Sequence, residues 1–351
     1  MNSGLHLQRS CREQLCSGRF RMHHSLPSLR PLYERYGNEA VERQLRALER
    51  HGTVVDDPGL WLEAALAGGF KFMPIVGVDR CACGSTETTL RSRFVYWNLL
   101  GLRECDTCGV LFVSPRLTEE AMRSVFAEHY FDYADLKEWG ERRRKVFADV
   151  LPLLESRGVR KVFDVGAAFG HFVRYAQDRG LEAAGSDISA KAVEVGREQL
   201  GVELHAGTLA DLALPPESVD AVVSLDAFYY VADPRAELDA IRRLVRPAGI
   251  VVLRLRNGLV SRLLARLAGF RKIGPSALPA PHLWGFTPKS VTRLLEASGW
   301  RVEECQPAAY SASPFAPLQS GAITINRLVR RRWRGAPILT RSFTVVARRA
   351  N

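Results

Sequence analysis

The 351-residue sequence has no uninterrupted apolar run of about 18 residues or more, so a membrane-spanning helix is excluded. Lysine is scarce, with seven lysines against 42 arginines. A bias that lopsided follows from GC-rich coding as readily as from a binding surface. The net charge of +11 therefore does not by itself establish an anionic partner. The seven cysteines are an odd number, and the first 33 residues lack the apolar core of a signal peptide. Both facts argue against a disulfide framework and for a reducing, cytoplasmic setting. Nor is there a complete dinucleotide fingerprint, because the G-x-G-x-x-G pattern fails at Ala168, which weakens an NAD reading.

What is present divides the chain. Residues 1–30 read as a disordered basic tail, and helical spacing follows over 31–75. Residues 76–117 hold β-formers and four of the cysteines, the pattern of a small metal-stapled β module. Helical periodicity returns over 118–156. From 157 to 351 strands and helices alternate, with strands expected at 161–165, 181–187, 202–206, 219–225, 249–255, 300–305 and 342–348. Helices fall at 170–179, 189–200, 234–246 and 287–298. That alternation predicts an α/β fold with a mostly parallel sheet covered on both faces. An irregular insert occupies 257–286.

Cys105-Asp-Thr-Cys108-Gly109 is a metal knuckle: two thiolates three residues apart reach one tetrahedral ion, and Gly109 permits the left-handed turn. Cys81-Ala-Cys83 is tighter than the usual C-x-x-C. The four sulfurs predict a structural Zn²⁺ with no open coordination position; paired buried thiols are the alternative.

The densest signal is Val162-Phe-Asp-Val-Gly-Ala-Ala-Phe-Gly-His-Phe172. A strand ending in Asp164, then Gly166, Ala168 and Gly170, then a helix beginning at His171, suits a nucleotide-like ligand at a strand's carboxyl end. Twenty-three residues past Asp164 a second strand ends at Asp187-Ile188, where an acid can accept from both ribose hydroxyls. Thr208 and Leu209 follow a third strand, where an adenine could be clasped.

The spacing of Gly166 and Gly170 resembles the first motif of class I S-adenosylmethionine-dependent methyltransferases. Similarity continues through Pro216-Glu-Ser-Val-Asp-Ala-Val-Val-Ser-Leu-Asp226, Leu244-Val-Arg-Pro-Ala-Gly-Ile-Val-Val-Leu253 and His282-Leu-Trp-Gly-Phe-Thr-Pro288. The resemblance implies a Rossmann-like seven-stranded sheet with its last strand antiparallel. It implies S-adenosylmethionine in the glycine turn, Asp187 on the ribose, Thr208 and Leu209 near the adenine, and Asp164 orienting the loop and reaching the amino group. Val110-Leu-Phe-Val-Ser-Pro-Arg-Leu-Thr-Glu-Glu120 resembles a subgroup with a zinc ribbon before the catalytic domain.

Methyl transfer needs alignment and, for some acceptors, a base. Where many relatives carry Glu-His after strand four, this chain has Tyr229 and Tyr230. A phenol serves as base at neutral pH only if its surroundings lower its pKa. Asp226 and His282 are further catalytic candidates, His282 on an insert that in this fold overhangs the acceptor; His205 reads as structural. The implied acceptor is a small molecule, a sugar or natural-product intermediate. An RNA base is the alternative, weakened by the lack of an N-P-P-Y-type motif, and a non-catalytic scaffold that binds the cofactor is a third reading. Oligomeric state is not legible.

Overall fold

The computed structural model describes residues 75–92, 102–114, 116–128, 136–260, 282–308, 323–329, 337–338 and 340–350, with residues 39 and 321. The tail at 1–30, the helical region at 31–75 (but for Glu39 and Ile75) and most of the insert lie outside the described residues. The chain divides into two compact units: Met1–Met122 with Ala265–Trp284, and Arg123–Leu264 with Gly285–Asn351.

The first unit carries β1 (Ile75–Val76), β2 (Thr88–Ser92), β3 (Leu102–Cys105), β4 (Leu111–Val113) and β5 (Arg116–Leu117). β2, β3 and β4 form an antiparallel meander, and β1 pairs with β5. The Val113 N–H extends the sheet by donating to the Leu283 carbonyl at 3.0 Å. Phe112 is fully buried and stacks on Trp284 at 5.6 Å, with the Arg116 guanidinium 5.1 Å from that indole.

The helical stretch expected at 118–156 is two helices, α1 (Glu119–Glu128) and α2 (Leu136–Glu155). Val146, Phe147, Val150, Leu151 and Leu154 recur at helical spacing on α2, and all are buried. They pack with Phe172, Val173 and Ala176 against Val162, Ala221, Val223, Ile250 and Val252 of the sheet.

That sheet is built from β6 (Lys161–Val165), β7 (Glu182–Asp187), β8 (Leu204–Ala206), β9 (Val219–Leu225), β10 (Val245–Arg256), β12 (Trp300–Ala308) and β13 (Ser342–Arg349). Its order is β12-β13-β10-β9-β6-β7-β8, and β13 runs antiparallel to both of its neighbours, as the resemblance implies. β11 (Trp284–Gly285) belongs to the smaller sheet. The helices are α3 (His171–Gln177), α4 (Ala190–Leu200), α5 (Pro234–Leu244) and α6 (Pro288–Ala297). Local chemistry sets their starts: Ser189, Asp233 and Thr287 cap α4, α5 and α6, and Thr287 forms a capping box with Ser290.

β8 starts two residues later than expected and β12 runs on to Ala308, but β10 differs most. β10 begins at Val245, not 249, because Val245 already pairs with Val219. The chain then bulges, with Ala248 at φ 58°, before Ile250 resumes register opposite Ala221.

From β6 the chain builds β7 on one side and later returns to β9 on the other. The carboxyl ends of β6 and β9 therefore flank a switch point, where open α/β sheets bind ligands.

Candidate functional site

The turn after β6 folds as its glycines require. Gly166, Ala168 and Gly170 all take left-handed φ, at 77°, 51° and 81°. Both glycines also serve packing. A Cβ on Gly166 would lie closer than 3.0 Å to the Ala227 methyl, and one on Gly170 would press on Val202 and Leu204. The Gly166 and Ala167 N–H groups both donate to the Ser186 carbonyl at 2.9 Å.

The loop is oriented by a different acid from the one expected. Asp187 accepts the Ala168 N–H at 2.7 Å on Oδ2 and the Ser189 N–H at 2.9 Å on Oδ1. Asp164 Oδ1 is buried and has no hydrogen-bond partner among the described residues. The reason is position: Asp187 ends the neighbouring strand level with the turn, and Asp164 lies two residues short of Gly166, within the ladder.

Both carboxylates are buried. Burial pushes Asp164 up to about 8, with Asp187 adding repulsion and Arg143 opposing. Burial also raises Asp187, against the amides of Ser189 and Ala168. An acid raised in the folded state binds more protons there than in the unfolded chain, so stability falls as pH climbs from about 4 to about 8. Asp164→Asn is expected to flatten that slope, leaving the part due to Asp187, and to stabilise the chain at pH 8 by a few kcal/mol, on the order set by such a shift. Urea unfolding of both proteins at pH 5 and pH 8 measures this, and parallel pH profiles would refute it.

Arg143 reaches this region from α2, a stretch that reads in sequence as a run of solvated charge. Its Nη1 donates to the Leu225 carbonyl at 3.3 Å, and its guanidinium lies 4.7 Å from the Trp139 ring. Trp139 meets Phe169 of the turn edge-on at 6.0 Å. Next to Trp139, Gly140 leaves space that the His171 imidazole fills; a Cβ there would lie closer than 3.0 Å to the ring. A glycine inside a helix costs about 1 kcal/mol, and here it admits a side chain from the turn. Burial lowers the His171 pKa, which favours the neutral ring, and its Nδ1 has no hydrogen-bond partner among the described residues.

At the end of β9, Asp226 adopts φ 66° and its Oδ2 pairs with Arg254 of β10. A short 3₁₀ turn, Phe228–Tyr230, follows. Tyr229 is fully buried, and burial, then the Asp226 charge, pushes its phenol far above the ordinary range. The surroundings thus do the reverse of what a base would need, which corrects the basic role considered for Tyr229. Tyr230 is half-buried, 4.7 Å from Tyr229 and 5.1 Å from Phe126, ring to ring.

After β8, Thr208 donates both its N–H and its hydroxyl to Asp211 Oδ2, each at 2.8 Å. Arg123 Nη1 donates to the same oxygen at 2.8 Å. These bonds, the Thr208 amide first, hold the exposed Asp211 down to about 2. Thr208 accordingly has its methyl left to offer, next to the buried Leu209. Ile188 is half-buried beside Asp187. His205 stacks on Phe163 at 6.2 Å and faces Glu203, a structural placement.

In the first unit Cys81, Cys83, Cys105 and Cys108 converge, their sulfurs all within 4.8 Å of one another. The Cys81–Cys108 and Cys83–Cys105 separations are 3.6 and 3.5 Å. The short C-x-C spacing therefore does not break the set. Cys81 is raised chiefly by its Cys108 partner, which is itself held down to about 5. Four thiols so placed fit a closed tetrahedral ion such as Zn²⁺. His282 is buried in this unit, and the glycine turn belongs to the other.

The second unit's residues fit a ligand that brings a cation to the unpartnered Asp164 Oδ1 and hydroxyls to Asp187, whose oxygens retain lone pairs beyond those used by the amides. Sequence reasoning did not single out Trp139, Gly140, Arg143 or Arg254. Only Gly140, a glycine inside a helical pattern, carries a local signal.

Comparison with known proteins bears on this unit. Residues 139–305 match the family model described as methyltransferase domain. The ubiquinone biosynthesis O-methyltransferase of Cereibacter sphaeroides is 27% identical over 158 residues, 43% of this chain and 64% of that one. Its Aeromonas salmonicida counterpart is 28% identical over 171 residues, 46% and 69%. The Alkalilimnicola ehrlichii counterpart is 34% identical over 104 residues, 28% and 42%. The chain thus spans less than two thirds of the Cereibacter protein's length. A solved magnesium protoporphyrin IX methyltransferase from Synechocystis PCC 6803 superposes with TM-score 0.44 at 14% identity, covering 66% of this chain and 99% of that one. The glycine turn, Asp164, Asp187, Arg143 and the turn after β9 all lie within the stretch that matches the methyltransferase domain, and the four cysteines lie outside it.

Proposed function

We propose that the chain is an S-adenosylmethionine-dependent methyltransferase acting on a small-molecule acceptor. The observation that carries this reading is the buried, unpartnered Asp164 Oδ1 beside Asp187, at the switch point of a sheet whose stretch matches the methyltransferase domain. When bound, the cofactor supplies a methyl group already activated by its sulfonium. The chain's own work is to bind and align. Asp164 receives the cofactor's ammonium, Asp187 its ribose hydroxyls, and Leu209 with the Thr208 methyl the adenine. Trp139 and Arg143 of α2 cover the turn and limit water. Tyr229 stays protonated and can donate a hydrogen bond to the acceptor, and cannot take its proton.

A small acceptor is favoured over RNA because the relatives are named for O-methylation in ubiquinone biosynthesis. Isothermal titration with S-adenosylmethionine, then methyl-transfer assays on small-molecule and RNA panels, test both levels. Binding followed by turnover on a small molecule is the expected result. Salt-sensitive turnover on RNA would replace the acceptor class. Binding with no turnover on any acceptor would favour a scaffold, and absence of binding would overturn the cofactor.

The cysteine cluster is proposed to hold one structural Zn²⁺. Purified protein is expected to contain about one zinc per chain, and Cys105→Ser to lose it and unfold at lower temperature, since a structural ion's binding energy is folding energy. Metal analysis that finds no zinc in freshly purified protein would refute this.

A further inference from the structure

We infer that Arg254 and Asp226 are a positioning pair, which sets the turn after β9 against the glycine turn and thereby shapes the cofactor site; this rests on the cofactor reading above. Arg254 lies within the interior strand β10, between Leu253 and Leu255, and is only 2% exposed. Arginine is almost never buried so deeply without a partner that fixes it. Its strand neighbours are Leu225 on one side and Thr344 on the other. Its guanidinium pairs with Asp226 Oδ2, and its carbonyl accepts the Asp226 N–H at 3.1 Å. Asp226 is thus gripped at side chain and backbone together.

The grip matters because Asp226 is held at φ 66°, a conformation that L-residues other than glycine adopt at a cost. That left-handed step swings the chain off β9 so that the Ala227 methyl occupies the space Gly166 leaves open. Past it the 3₁₀ turn places Phe228 5.6 Å from Phe286. A buried ion pair seldom adds net stability over an apolar pair of similar volume, so stability is a poor explanation for keeping one here. What an apolar pair would not supply is the twofold hold on a strained residue at the lip of the site.

The experiment is titration of S-adenosylmethionine into wild type, Arg254→Lys, Arg254→Met, Asp226→Asn and the double variant Asp226→Asn/Arg254→Met, with melting temperature measured on each. Arg254→Lys keeps a cation at the pair and is expected to stay within about threefold of wild-type affinity. Arg254→Met is expected to weaken binding at least about tenfold and to melt lower, because Asp226 is left buried and unpaired. The double variant separates the roles. A pair that only stabilises would regain affinity along with melting temperature; a positioning pair regains melting temperature and stays weak in binding. Recovery of affinity in the double variant overturns the inference, as does wild-type affinity in Asp226→Asn, which covers the case in which Arg254→Met does not fold. Failure of the wild type itself to bind overturns the cofactor reading, and this inference with it.

Discussion

Asp187→Ala is expected to weaken S-adenosylmethionine binding by at least about 100-fold, a loss of roughly 3 kcal/mol. The carboxylate acts twice. It accepts the Ala168 and Ser189 amides, which alanine would leave buried without an acceptor, at a cost of about 1–3 kcal/mol each. It is also the proposed partner of the ribose hydroxyls, and hydrogen bonds to an ionised group contribute about 1.5–3 kcal/mol. Part of the first cost falls on stability, so the thermal midpoint should drop as well. Asp187→Asn keeps one acceptor oxygen and turns an NH₂ towards an amide that needs an acceptor, and should therefore fall between wild type and alanine. Titration calorimetry on the three proteins reads the order directly. Affinity within threefold of wild type in the folded alanine variant would remove Asp187 from the cofactor site.

Gly166→Ala should be nearly as damaging, for a different reason. A left-handed φ of 77° costs an alanine about 1–2 kcal/mol. Its methyl would also collide with that of Ala227, and relieving such overpacking typically costs a further 1–3 kcal/mol. Destabilisation of roughly 2–5 kcal/mol is expected, with loss of most cofactor binding, because the shift needed to relieve the clash moves the turn itself. Ala227→Gly added to Gly166→Ala removes the collision and leaves the backbone strain. Stability should then recover by about half in urea unfolding. Full recovery would mean that the strain is negligible, and no recovery that Ala227 is not the obstacle.

The main elements of the second unit were legible because their signals are local. Val162, Phe163 and Val165 around Asp164, and the largely apolar stretch 219–225, announce buried parallel strands whatever lies beside them. Asp187 was legible by its spacing from the glycine turn. Capping residues such as Thr287 and Asp233 mark their helices within four positions of chain.

The site's electrostatics were not legible, because burial and long-range pairing set them. Nothing near Asp164 in sequence says that it keeps an unpartnered oxygen while Asp187, on the next strand, ties the loop. Arg143 sits in a run of four basic residues and meets Trp139 four positions earlier on the same helix, but only the packing of α2 brings its guanidinium to the Leu225 carbonyl. Arg254 and Asp226 are 28 positions apart and meet through a strand pairing. Tyr229 could be a base or a buried phenol by sequence, and its surroundings chose the second. Periodicity and turn chemistry act over a few residues and are therefore written in the chain. The free energy of a charge depends on everything within several ångströms of it, and only the folded sheet decides what that is.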